Sequence, residues 1–211
     1  DQVVAEVAKW FEDWQPQPSQ AAAVPPVPQS TEVWRQKPIE QVHLCLAAPA
    51  APYGSDDLYA EAVLTNILGG SSSSRLFQVV REDHGLAYAV YAFHSAYSDA
   101  GLFGMYAATS PDTAERVLEL MAQECARIRR EGVRPEELER TKSQMKANLL
   151  MGLESTGSRM NRLGRTLLML GRVVTVDEVV ARIEAVDGQQ VLAAAQRLLD
   201  PQRWVLAGTG P

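Results

Sequence analysis

The sequence is short of the residues from which self-contained metal and nucleophile sites are built, with three histidines and two cysteines in 211 residues. A catalytic zinc needs about three converging protein ligands, two of them commonly one helical turn apart. His43, His84 and His94 are never four residues apart, and none stands with a glutamate in an HxxEH, HExxH or HxxE pattern. The chain is therefore expected to bind no metal by itself, and the plain expectation for His43 is a strand residue on the solvent side of a sheet. His84 and His94 are expected at loop or strand-end positions. Cys45 and Cys125 lack CxxC spacing and are expected to be reduced core thiols. There is no GxSxG elbow, and the serines at 71–74 follow two glycines in a way that suits helix capping. No GK[ST] follows those glycines, which excludes a P-loop.

Basic charge is also scarce. A net charge of −6 provides no stripe to neutralise phosphates, so nucleic acid is not an expected partner. No apolar run approaches the roughly 18 residues that cross a bilayer, and residues 1–14 have neither a basic start nor a small-residue cleavage site. No membrane segment is expected, and the cytoplasm is the expected location, with the periplasm as the alternative.

What remains is a globular composition, 46% hydrophobic and 22% charged. Val3, Val4, Val7, Trp10, Phe11 and Trp14 share one face of a short helix over residues 1–14, whose partner surface is expected outside this sequence. Residues 15–30 carry five prolines and read as an extended linker. The compact domain is expected over 31–211.

Within it, residues 41–48 alternate as a half-buried strand, and a helix over 56–68 follows Ser55 and closes at Gly69 and Gly70. A second short helix holds Leu76, Phe77 and Val80 and ends at Gly85. Residues 87–94 and 101–109 form a hairpin, expected at the centre of the sheet. Ser110 and Pro111 open a helical block, in which Gly157 is expected to interrupt the second helix. Thr175 with Glu178 reads as a capping box, and Asp187 with Gln190 as a weaker one. A last strand over 203–208 completes an α+β fold, a largely antiparallel sheet with helices packed on one face.

One region carries several motifs in order: ILGG at 67–70, SRLF at 74–77, VRE at 80–82 and GLAY at 85–88, followed by the hairpin. Further on stand GLFGMYAATSP at 101–111, EGVRPEELERTK at 131–142, LLMGLESTGSRMNRLGR at 149–165 and DP-x-R-W at 200–204. In these motifs the sequence resembles the pitrilysin, insulinase and mitochondrial processing peptidase family of zinc peptidases, over nearly the whole chain after the proline-rich segment. The resemblance implies a processing-peptidase-like metallohydrolase domain, the carboxy-terminal, non-metal half of a bacterial enzyme.

In that family two related α+β domains face each other across a chamber. The amino-terminal one carries HxxEH and a downstream glutamate that complete a zinc site. The resemblance thus implies zinc in the parent protein, held by an amino-terminal domain of the same chain or of a partner subunit, and a peptide substrate. The helix over 1–14 would be the tail of that preceding domain, and the start at Asp1 without an initiator Met fits a segment of a longer protein.

The family's other half supplies an Arg and a Tyr seven residues apart, which Arg81 and Tyr88 match in VREDHGLAY. They are the candidate catalytic and substrate-binding pair. A guanidinium can hold a peptide carbonyl, and a phenol can donate to the oxyanion formed as water attacks. The plainer reading pairs Arg81 with Glu82 or Asp83 and packs Tyr88 into the sheet. The alternatives at the level of the whole chain are a non-catalytic structural or substrate-presenting subunit and a self-associating domain, with a homodimer as the implied partner state.

Overall fold

The computed structural model describes residues 2–15 and 31–211. Apart from Gln15, the expected proline-rich linker lies outside the described residues. Helix α1, Gln2–Phe11, forms as its three- and four-residue spacing predicts, yet none of its residues is buried. Val3, Val4, Val7, Trp10 and Phe11 all face solvent.

Five strands form one sheet: β1 Glu32–Gln36, β2 Val42–Ala50, β3 Ala87–Ala96, β4 Gly101–Thr109 and β5 Val205–Gly210, in the order β1-β5-β2-β4-β3. Only the β1–β5 pair is parallel. The expected α+β sheet is present, with two corrections. The β3–β4 hairpin lies to one side, with β3 outermost, and β2 occupies the centre. Strand β1 has no expected counterpart, because all five of its residues are exposed and it exists by pairing with β5 at the other end of the chain.

β2 shows why the sheet has two unlike faces. Val42, Leu44, Leu46 and Ala48 are buried against helices, while His43, Cys45 and Ala47 alternate onto the uncovered face and are half-buried. Cys45 is therefore not a core thiol; Cys125 is, buried with its Sγ 3.5 Å from Met105 Sδ. His43 meets the Tyr106 hydroxyl on the uncovered face at 2.5 Å.

Helix α2, Leu58–Gly69, buries Val63, Leu64, Ile67 and Leu68 and lies directly on β3. A Cβ at Gly69 would come within 2.2 Å of the Ala92 nitrogen, so the absent side chain is what allows that approach. Helix α3, Ala114–Glu131, presents Val117, Met121, Cys125 and Ile128 to the core and ends at Gly132, whose φ of +74° suits glycine.

Helix α4, Pro135–Gly152, is followed by α5, Thr156–Leu170, α6, Val176–Ala185, and α7, Gly188–Leu198. The break between α4 and α5 falls at residues 153–155, where Ser155 caps α5, so Gly157 sits inside the first turn rather than at the interruption. Thr175 accepts from the Glu178 amide, but Glu178 does not return the bond: Arg172 holds its carboxylate at 2.8 and 2.7 Å. Asp187 and Gln190, without such a competitor, form the full reciprocal box. Pro201–Arg203 is a short 3-10 turn, and β5 starts two residues later than expected. None of the described helices is long and apolar enough to cross a membrane.

An ion pair pins the loop after α2 to α4. Arg75 donates to both Glu137 oxygens, at 2.9 and 2.8 Å, and Glu137 also accepts from the Arg134 amide at 3.0 Å. Burial pushes the Glu137 carboxyl up, but the bonds from Arg75 and Arg134 outweigh it and bring the pKa to about 2. A depressed folded value contributes stability that is fully present above the ordinary carboxylate value of 4.5 and is lost as pH falls toward 2. Thermal melts of Glu137→Gln should therefore show a lower melting temperature at neutral pH and a flatter acid limb between those two values. An acid limb identical to that of the unsubstituted chain would assign the acid sensitivity elsewhere.

Candidate functional site

Between α2 and β3 the chain makes a π-helical turn, Phe77–Asp83, one of the wide turns that recur at functional positions. It is the short helix expected from Leu76, Phe77 and Val80, in π rather than α form. Val80 faces the core, and the turn closes through bonds from the Gly85 amide to the Arg81 carbonyl and from the Leu86 amide to the Val80 carbonyl. Gly85 has φ of +64° and reverses the chain, as expected. His84 meets the Val79 carbonyl at 2.8 Å, a local turn contact.

β3 then begins irregularly. Ala87 pairs with Thr109 and Ala89 with Ala108, so Tyr88 is the extra residue of a β-bulge. Its side chain is 78% exposed, so it does not pack in the sheet. The turn and the bulge together bring the two expected residues into contact. Arg81 Nη1 donates to the Tyr88 carbonyl at 3.0 Å, and the guanidinium lies 4.8 Å from the Tyr88 ring centre and 4.7 Å from that of Phe77. Arg81 is thus held beside two rings, a contact that suits its flat, delocalised charge. Its approach to Glu82 is loose, at 3.8 Å. That single bond to Tyr88 is the only hydrogen bond of the guanidinium among the described residues, which leaves most of its five N–H groups for another acceptor. The hydroxyl of Tyr88 stands in solvent with the same freedom. Phe77 is the member of this group that the sequence did not flag; its place four residues before Arg81 was the available signal.

A second polar cluster lies under the sheet. Glu61 of α2 is 0% exposed and accepts from His94 at 2.9 Å, the Ala51 amide at 2.9 Å and Arg197 of α7 at 2.8 Å. Arg197 also reaches Asp57 at 3.1 Å. Burial pushes the Glu61 carboxyl up, and the bonds from His94, Arg197 and Ala51 overcome this and hold it below its ordinary value. Every oxygen of the carboxylate is taken, so this is a brace between α2, β3 and α7 rather than a place for substrate. His94 is accordingly more than a strand-end residue.

Among the described residues no three His, Cys, Asp or Glu side chains converge as a metal requires. On the uncovered face of the sheet, at the end of β3 far from Tyr88, Ala47, Pro49, Tyr97, Leu102 and Val205 line an open cavity of about 730 Å³. Tyr91 and Tyr106 stack between the two ends, with ring centres 4.9 Å apart.

The chain is 39% identical over 198 residues to the uncharacterized zinc protease YmxG of Bacillus subtilis, covering 94% of this chain and 48% of that one. It is 39% identical over 172 residues to the uncharacterized zinc protease SCO5738 of Streptomyces coelicolor, covering 82% of this chain and 37% of that one. It thus spans half or less of the length of these curated relatives. The crystal structure of a peptidase M16 inactive domain from Pseudomonas fluorescens superposes with a TM-score of 0.87 over 100% of this chain and 50% of that one; at 23% identity this shows a shared fold. The family described as peptidase M16 inactive domain matches residues 1–145, and the chain belongs to it.

Proposed function

We propose that this chain is the carboxy-terminal, non-metal half of a zinc metalloendopeptidase, closing a substrate chamber and supplying Arg81 and Tyr88 to the peptide. The observation that carries the reading is the joined pair itself. A guanidinium fixed by two rings and one backbone bond keeps donors for a substrate carbonyl, beside an exposed phenol that can donate to a developing oxyanion. The π-helical turn and the bulge already hold the two side chains together, which reduces the ordering needed when substrate arrives.

β3 is the outermost strand on that side, and an extended peptide can use its main-chain groups with little demand on side-chain identity. The zinc and its ligands would belong to an amino-terminal half, with α1 as the tail of that half and residues 31–211 as the domain described here. Isolated, the 211 residues should not cleave peptides. The test is a quenched fluorescent peptide assayed with this chain and with the full-length protein, each with zinc and then with chelator. Chelator-sensitive turnover by the full-length protein alone supports the proposal, and robust cleavage by the 211-residue chain sinks it. A full-length protein without an HxxEH motif before Asp1 would point instead to a non-catalytic subunit.

A further inference from the structure

Helix α5 is amphipathic, but its apolar stripe faces outward. Met160, Leu163, Leu167 and Leu168 are exposed, Met160 at 67% and Leu168 at 87%, and Leu150 and Met151, in the last turn of α4 just before it in the chain, are exposed as well. Within α5 only Thr166 is buried. Four large apolar side chains on one helix face, with two more exposed just before it in the chain, exceed scattered single exposure and mark a contact surface.

Gly164 lies in the middle of that stripe. Glycine inside a helix is unfavourable relative to alanine, and a Cβ at this position would meet nothing within 4 Å. This chain therefore gives no steric reason for the glycine, whereas a second element packed closely on the stripe would.

We propose that α5 and the last turn of α4 form the surface on which the amino-terminal half of the full-length protein packs. This rests on the reading that such a half exists. Its length is indicated by the relatives, of which this chain covers 48% and 37%. Its character is indicated by α1 and the residues just after it, where an outward apolar stripe accompanies Glu6, Glu12 and Asp13 against the single Lys9. α5 carries Arg159, Arg162 and Arg165 and no acidic residue. Arg162 and Arg165 turn to their own domain, donating to the Val174 and Ala96 carbonyls, so it is the exposed Arg159, beside Met160, that offers a positive charge next to the stripe.

The test compares the same substitutions in two proteins. In the 211-residue chain, Met160→Glu with Leu168→Glu should leave the melting temperature unchanged, and Gly164→Ala should raise it. In the full-length protein both changes should lower the melting temperature and speed tryptic cleavage between the halves. A full-length protein that responds as the isolated chain does overturns the proposal. So does an isolated chain that sediments as a dimer and becomes monomeric with the glutamates while the full-length protein is unmoved, since the surface would then serve a second copy. Melting and proteolysis do not depend on catalysis, so an inactive full-length protein whose halves still separate on substitution would remove the peptidase reading and leave this one.

Discussion

Glu61→Ala is expected to lower the melting temperature by roughly 6–20 °C, a large effect for a single polar side chain. The carboxylate is wholly buried and accepts from three donors on separate segments, His94, Arg197 and the Ala51 amide. Removing it leaves His94 and the Ala51 amide without this acceptor and Arg197 with Asp57 alone, and breaking a buried ion pair in this way costs about 3–5 kcal/mol. Total stabilities are about 5–15 kcal/mol, and each kcal/mol moves the midpoint of a domain of this size by about 2–4 °C.

Glu61→Gln separates charge from shape. The glutamine oxygen can still accept, but its amide group places N–H donors against one of the donors already there, so an intermediate loss is expected. The sign with pH follows from the depressed carboxyl: the stabilisation is present above the ordinary carboxylate value of 4.5 and fades as pH falls below it. Glu61→Ala should show no such fading from this site. Melting temperatures from pH 3 to 8 for the three proteins check this, and an Ala variant within a degree or two of the parent would show that the brace is not a brace.

That cluster also marks the limit of what the sequence reveals. Helices α3 and α6 are legible because their apolar residues recur at helical spacing against a polar background. In LYAEAVLTNILG, by contrast, Glu61 reads as one more acid in a helix first turn. Its partners His94 and Arg197 come from 33 and 136 residues away, and no local pattern encodes them.

The same reason hides β1, whose residues are all exposed and whose hydrogen bonds go to β5. The hairpin looks central because Tyr91, Phe93 and Tyr106 are strand-forming aromatics, yet these side chains lie on the uncovered face, where aromatic content reports surface rather than position in the sheet. Arg81 and Tyr88 were legible through family motifs in register. The π-helical turn and the bulge that join them were not, because both are one-residue departures from regular ladders that no periodicity registers.

If the joined pair acts on substrate, Tyr88→Phe in the full-length protein should cut kcat by about 10² to 10³ while leaving the fold intact. The substitution is unusually clean. The ring that stacks on Arg81 is kept, the backbone carbonyl that accepts from Arg81 is kept, and only a solvent-exposed hydroxyl is lost. A donor that acts only on the developing oxyanion lowers kcat and kcat/KM together and leaves KM nearly unchanged.

Arg81→Ala is expected to do more, because it removes the carbonyl donor and also frees Tyr88 and Phe77 from the charge they flank. KM should rise as kcat falls. Arg81→Lys keeps the charge but loses the flat fork that lies beside both rings, so it should rescue little of the turnover. Phe77→Leu tests positioning: it leaves both polar groups in place and removes one of the two rings beside Arg81, so a modest loss, mainly in KM, is expected. Circular dichroism and melting establish that each variant is folded before its kinetics are compared. Full turnover by a folded Tyr88→Phe protein would return the pair to structure, with the stack then serving only to fasten the π-helical turn to the first residues of β3.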